Sequence, residues 1–524
     1  MRKCKVLFAL LAAMIIIPTG FGQTQEDLLR RLEALDQRLK AVESENAQLK
    51  TQLVENDDAV LESQVNALLE RYAAGTTVNS TANPITMTGE FRFRTTWTLG
   101  DPVNNSGGGG PLLGYGGGEL DELDGSYVDS RVRLGFLYEF TRDVSAFAEL
   151  QAHWAFGDFS SPSMGNDPSP LASPYGFYHG ESTLDMELYQ GWIEVRNIFD
   201  RPEFSNKTGR QEIVLGNQFQ FGNADWYNGW TFDASRWDWD DESFRITGII
   251  ARLATADRDL NQIPSYLSTH DSDDLYAIYF TLKSIENVEL DLYWIYIDGH
   301  FPGLPSNGAL GNNVGGGLVG ANAYWHTIGA RLGGNFDVAE GLDWNVEGAY
   351  QFGNINGGGT VNDVDGWAVE AEVGITFNKD NMFRLFARFL FAQGGDNKDS
   401  GYIPLFPNRH SNTGFRARYG LFDLMPMTNV LSLQGGLTFN PDPDWTLGAT
   451  VVWATADDDN PFIAASNGDD YGWEIDVFGE YRYSEQLTVG VGAAFLFPDD
   501  EGELTWGLDD DMHLLVYLQA RLVF

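Results

Sequence analysis

The chain has 524 residues, 43% hydrophobic and 13% aromatic, with 59 glycines and a formal net charge of −42. So acidic a composition excludes nucleic acid as a natural partner, because a polyphosphate backbone is held by neutralising cationic side chains. The one cysteine, Cys4, leaves everything after it without a thiol or a disulfide.

The first element is MRKCKVLFALLAAMIIIPTGFG: a basic start, an apolar run from Val6 to Ile17, then small residues. This reads as a secretory signal peptide over residues 1–22. The apolar run is short for a retained anchor, and no later stretch approaches a transmembrane helix. Residues 24–72 read as a coiled coil. Leu28, Leu32, Leu35, Leu39, Val42, Asn46, Leu49 and Leu53 follow 4-3 spacing, with the polar Asn46 at one core position. The pattern slips after Asn56 and resumes at Leu61, Val65 and Leu68. One helix cannot satisfy such a seam. A parallel self-trimer in the periplasm is the leading expectation, beside a dimer or a folded-back hairpin. Residues 73–87 are a polar linker.

From residue 88 to 524 the pattern is that of a transmembrane antiparallel β-barrel. Long loops rich in Gly, Asp, Asn and Pro lie near 99–126, 156–182, 217–229, 253–271, 298–322, 354–362, 394–428, 455–469 and 498–510. Tight connections alternate with them near 141–144, 197–207, 240–242, 284–287, 338–341, 378–381, 440–444 and 484–486. Nine long and eight short connections join about eighteen strands. The even number puts both barrel ends on the periplasmic side. Strand faces follow from period two. Leu514, Val516, Leu518, Ala520, Leu522 and Phe524 lie on one face of the last strand, against His513, Tyr517, Gln519 and Arg521. A strand with one apolar and one polar face suits lipid outside and water inside. Its aromatic last residue resembles the signal by which bacterial outer-membrane barrels are recognised for insertion.

From residue 88 onward there are twenty arginines and four lysines. Arginine keeps its charge in a confined pore and grips carboxylates with a two-pronged donor fork. Alternation assigns Arg131 and Arg133 (DSRVRLGF), Arg210, Arg245, Arg331, Arg384, Arg388, Arg482 and Arg521 to the lumen. A ring of such groups is an electropositive constriction for anions. The plainer reading pairs each with a lumen carboxylate such as Glu212, Asp233, Glu289 or Asp291, and so only stiffens the wall.

The stretch GRQEIVLGNQFQFGNADWYNGWTFDASRW (209–237) resembles the signature of the alginate export family of outer-membrane barrels. The likeness continues through 274–280, 327–354, 405–410, 420–425 and 431–453. It covers roughly residues 88–524, and the family's barrel also has eighteen strands. The resemblance implies that Arg210, Glu212, Asp233 and Arg236 line the lumen. Alternation, however, sets Arg236 out of phase with Asp233.

Two features depart from the family: the coiled coil, and acidic outer loops such as TADDDNP (455–461) and PDDEGELTWGLDDD (498–511). The first of these loops clusters oxygens as a Ca²⁺ site does, but carries only part of a calcium-loop pattern; otherwise these are solvated loops, and no cofactor is expected. Seven scattered histidines and the absence of HExxH, GxSxG or P-loop motifs argue against an enzyme. The expected function is an outer-membrane channel passing an anionic saccharide, alginate-like polyuronate by resemblance. The alternatives are a trimeric general or small-anion porin, in which an infolded loop such as 394–428 or 156–182 narrows the lumen, and a tether of outer membrane to cell wall.

Overall fold

The computed structural model describes residues 85–99, 125–157, 186–254 (less 224, 227, 228 and 230), 273–301, 321–336, 341–356, 363–377, 383–395, 399–408, 418, 420–422, 425, 427–458, 469–500, 502–503 and 510–524. The predicted signal peptide and coiled coil lie outside these residues.

Eighteen strands follow one another along the chain. They are β1 (Thr86–Leu99), β2 (Gly125–Glu139), β3 (Val144–Gly157), β4 (Met186–Val195), β5 (Phe204–Gln211) and β6 (Phe232–Asp240). Next come β7 (Phe244–Ala254), β8 (Asp273–Leu282), β9 (Val288–Phe301), β10 (Ala321–Phe336), β11 (Leu342–Asn356) and β12 (Asp363–Phe377). The last are β13 (Phe383–Ala392), β14 (Val430–Phe439), β15 (Trp445–Thr455), β16 (Asp470–Arg482), β17 (Leu487–Pro498) and β18 (His513–Val523). Each pairs antiparallel with its neighbours in sequence, and β1 pairs with β18, placing Phe91 opposite Leu522 and Arg94 opposite Gln519. The sheet therefore closes on itself and has no edge, as a membrane-spanning sheet must. Long connections follow the odd-numbered strands and short ones the even-numbered strands. The alternation expected from turn residues holds at every position. Strand β1 starts at Thr86, where Thr86 and Met87 already pair with Leu137 and Phe136, so the barrel begins two residues earlier than expected.

The short turns are fixed locally. In the β6–β7 turn, the Asp241 carboxylate accepts from the backbone N–H of Ser243 (2.8 Å) and Phe244 (3.0 Å). Those two backbone donors hold its carboxyl below the usual range. Thr141 and Ser484 hydroxyls do the same for Val144 and Leu487, and Asp442 for Asp444. These side chains close a turn that the backbone alone cannot close.

Period two separates the faces. Phe93, Trp97, Tyr350, Trp367, Val451, Trp473, Val477 and Leu518 point outward and are exposed. Inward-facing Glu370, Glu474 and Asp476 are fully buried. An exposed apolar outer wall over a buried polar interior inverts a soluble protein and suits a bilayer.

Candidate functional site inside the barrel

Two of the long connections fold into the barrel and meet. One is the β5–β6 loop, residues 212–231. The other is the β13–β14 loop, residues 393–429, one of the two segments expected to be long enough to narrow the lumen. They join along their backbones. Gly222 N–H donates to the Phe406 carbonyl (2.7 Å), Phe406 N–H to Gln220 (3.0 Å) and Asn408 N–H to Gln218 (2.9 Å). Phe219 stacks on Tyr402 and Phe221 on Phe406, with centroids 6.1 and 6.0 Å apart. The Gln220 amide donates to the Tyr293 and Tyr402 hydroxyls (3.2 and 3.0 Å). The 156–182 segment, the other expected constriction, falls almost wholly outside the described residues.

The β5–β6 loop reaches two different walls. Toward β6–β10, Ile213, Leu215 and Phe221 bury themselves with Phe232, Ile249, Leu275, Ile295, Ile297 and Trp325. Toward β18, β1 and β2 the loop tip is held by charge. Arg131 and Arg133 reach the Asp225 carboxylate at 3.0 and 2.5 Å, and Arg521 reaches it at 3.5 Å. Arg92 donates to the carbonyls of Asp225 (3.1 Å) and Trp226 (2.6 Å). Arg131 donates to the Asp225 carbonyl (2.8 Å), and Arg94 to that of Trp226 (2.9 Å) while covering its ring at 3.6 Å. Trp226 meets Tyr517 edge-on.

The wall behind is a network. Arg131 and Arg521 share Glu90, and Arg92 pairs with Asp129, which also meets His153 at 2.9 Å. Arg133 bonds Gln151 and stands 3.9 Å over the Tyr189 ring. Burial alone would raise the Asp225 carboxyl, but Arg131, Arg133, Arg521 and Arg92 outweigh it and hold it well below the usual range. Glu212, at the start of the loop, is the converse. Burial pushes its carboxyl up, and the Tyr189 hydroxyl (2.5 Å) and the Asn223 amide donate to it. Gly229 lets the loop leave this wall: it has φ +86°, and a Cβ there would run into the Tyr189 hydroxyl and the Arg133 guanidinium. Five guanidiniums (Arg92, Arg94, Arg131, Arg133, Arg521) thus face the carboxylates of Glu90, Asp129, Asp225 and Glu212, with Glu480 beside Arg521.

The remaining inward arginines form separate, paired groups. Arg331 bonds Asp291 (2.5 Å), Asn345 and Glu289. Arg384 bonds Asp343 (2.6 Å) and Glu372 (2.8 Å), and Arg388 bonds Glu372 (2.5 Å) and Gln434 (2.5 Å). Arg418, on the second loop, bonds the Asn217 carbonyl and lies 3.7 Å from Glu370. Arg245 pairs with Asp240, Arg236 with Asp238, and Arg482 bonds Pro443 and Asp444, all near the short-turn rim. Among the described residues no three His, Cys, Asp or Glu gather as metal ligands.

The expectation for Arg210 and Asp233 is corrected. They pair with each other (2.8 Å) on the outer face. Arg210 lies opposite Gly191 and Asp233. Two residues along, on the same face, Thr208 lies opposite Ile193, and Ser235 opposite Ile250, both isoleucines being more than half exposed. The phase of β5 is set instead by Gln211, which is buried inward and donates to the Lys207, Gly209 and Ala234 carbonyls. Arg236 is thus out of phase with Asp233, as alternation required. Sequence reading missed Arg92, Arg94, Glu90 and Asp225. EFRFR (90–94) carries the same alternation as DSRVR and signals the first three. Asp225 has no local signal.

A family model described as alginate export matches residues 118–501. No curated protein matches the sequence. Among solved structures, Pseudomonas aeruginosa OpdK with vanillate is 10% identical, with a TM-score of 0.51 over 84% of this chain and 99% of that one. P. aeruginosa OpdQ is 11% identical (TM-score 0.50, 84% and 98%). Acinetobacter baumannii OccAB4 is 10% identical (TM-score 0.50, 85% and 100%). At such identities the likeness is one of fold.

Proposed function

The chain belongs to the alginate export family, and on that footing we propose that it is a passive outer-membrane channel for anionic saccharides, with uronate chains of the alginate class the first candidates. The observation that carries this reading is the arginine cluster of β18, β1 and β2. Three of its guanidiniums, those of Arg131, Arg133 and Arg521, already grip one carboxylate, Asp225, that is presented by an infolded loop rather than by the wall. A uronate offers the same group. A solute carboxylate entering the cluster would exchange with Asp225 and keep the charge-assisted hydrogen bonds at each step, so passage needs no bare buried cation. The acidic outer loops oppose polyanions at low salt and are screened at physiological ionic strength.

A second reading, a channel for small carboxylates, is favoured by the two loops that meet inside the barrel and narrow it. The vanillate of the OpdK structure is itself a carboxylate. Single-channel recording with oligouronates of increasing length separates the two. Block that deepens from monomer to short oligomer supports the saccharide channel. Indifference to oligouronates with passage of small carboxylates supports the second reading, and the absence of any conductance would leave the tether.

A further inference from the structure

Below the arginine wall, toward the short turns, β4 carries a second group of inward side chains. A bulge between Glu149 and Leu150 of β3 leaves Tyr189 as the extra residue of β4, so Tyr189 and Gln190 both point into the barrel. Tyr189 lies under Arg133, and the Gln190 amide donates to Glu149 at 2.9 Å. Alternation then resumes: Ile193 is exposed outward, and Trp192 and Glu194 face in. On β5, Lys207 shares the inward face of Gln211 and holds its ammonium 4.2 Å from the centre of the Trp192 ring. Phe147 of β3 stands directly opposite Trp192 and packs on it with centroids 5.4 Å apart. On the other side Trp192 faces Gly209, which puts no side chain beside the ring. Phe147, Trp192 and Lys207 are all half-buried, and their exposed parts face the lumen.

Lys207 is held differently from the arginines above it. Its nearest carboxylate oxygen, on Glu194, stands 3.8 Å away, beyond hydrogen-bond distance. Glu194 is already taken by Arg196 at 2.7 Å. Asp238, the other carboxylate beside it, takes Arg236 at 2.7 and 2.9 Å and the Thr247 hydroxyl at 2.6 Å. Arg131, Arg133 and Arg521, by contrast, each donate to a carboxylate or an amide oxygen within 2.7 Å. A lysine is a compact charge on a flexible stem. Its ammonium can swing from the Trp192 ring to an incoming anion without breaking a forked pair.

We propose that Phe147, Trp192 and Lys207 form a subsite for one pyranose ring of an acidic sugar, below the arginine wall; this rests on the saccharide reading of the channel. A pyranose presents C–H bonds on its face, and these are drawn to the negative face of an aromatic ring. Its carboxylate projects from the ring edge, where the Lys207 ammonium gives it a charge-assisted hydrogen bond. The pair selects for ring and charge together. A small carboxylate engages Lys207 alone, and a neutral sugar engages the aromatic rings alone. Position suits a chain in transit. Trp192 and Lys207 each lie three residues from the short-turn end of their strand, and Arg133 six from that of β2. With a strand rise of ~3.3 Å and a tilt of about 40°, these are roughly 8 and 15 Å up the barrel. Trp192 follows Tyr189 by about 10 Å along β4, so one oligomer can engage Arg133 and Lys207 at once. Two linked subsites hold it more tightly than either alone.

The test is single-channel block of the full chain in planar bilayers by a short oligouronate, a neutral oligosaccharide of the same length, and acetate. Trp192→Ala is expected to weaken block by both saccharides several-fold and to leave the effect of acetate unchanged. Lys207→Gln should weaken block by the oligouronate several-fold and leave that by the neutral sugar unchanged. Trp192→Leu, which fills space without an aromatic face, serves where Trp192→Ala does not insert, and the same result is expected of it. Oligouronate block that is unchanged in the Trp192 and Lys207 variants overturns the subsite and leaves the saccharide reading standing on the arginine wall. Equal loss of acetate and oligouronate block in a Trp192 variant also overturns it, since that marks a distorted wall and not a lost platform. A parent channel indifferent to the oligouronate overturns both the subsite and the reading on which it rests.

Discussion

The two inner walls that hold the β5–β6 loop work by different physics. On the β6–β10 side, Ile213, Leu215 and Phe221 are held by packing against apolar side chains. On the β18–β1–β2 side, Asp225 and Trp226 are held by guanidiniums, in a network that is buried and paired. The apolar anchor is indifferent to ions and holds the loop in the lumen. On the proposed function, the charged anchor is the one for which a solute carboxylate competes, so that one end of the loop fixes the constriction and the other reads the solute.

The comparison can be broken at either end. Phe221→Ala removes the ring that packs on Phe232 and Phe406. Large-to-small changes of this kind cost about 3–5 kcal/mol, so the amides of Leu215, Gln218 and Gly222 should exchange hydrogen far faster while ion selectivity stays near that of the parent. Asp225→Asn acts on the other end. It leaves Arg131, Arg133 and Arg521 without their shared carboxylate, and losing one partner of a buried pair costs about 3–5 kcal/mol. Here selectivity should move, toward anions, with faster exchange confined to the loop tip. Equal behaviour of the two variants would mean that the walls do not differ in role.

Acid titration is a gentler probe. The Asp225 carboxyl lies well below its ordinary value of 3.8 in the folded protein. Its contribution to docking is therefore complete above 3.8 and is lost only as the pH falls through the lower folded value. Loop-tip protection should persist from neutral pH down to that ordinary value and fail below it. Arg210→Gln is the smallest change. It removes an ion pair of the outer face and should leave the reversal potential unaltered, whereas a shift would return Arg210 to the solute path.

The barrel was legible in the sequence because period two and turn residues act locally: the strand number, the long-short order and the faces of β18 all follow from them. Arg131 and Arg133 were legible for the same reason. Arg210 was not, because β5 reads FSNKTGRQ and has no apolar alternation to choose a face. Its phase comes from Gln211 and from pairing with β4 and β6. The partners of the arginine cluster were out of reach too, since Asp225 is brought to Arg131 and Arg133 across more than ninety residues by a loop whose path depends on the apolar wall opposite.

The most direct test of the central claim, that solute passes the arginine wall, is the zero-current reversal potential across a salt gradient for the parent channel and for Arg131→Gln with Arg133→Gln. The account predicts an anion-selective parent and a double variant whose selectivity falls several-fold or reverses, with weaker block by uronates. An unchanged potential and unchanged block would contradict it and route the solute elsewhere through the barrel.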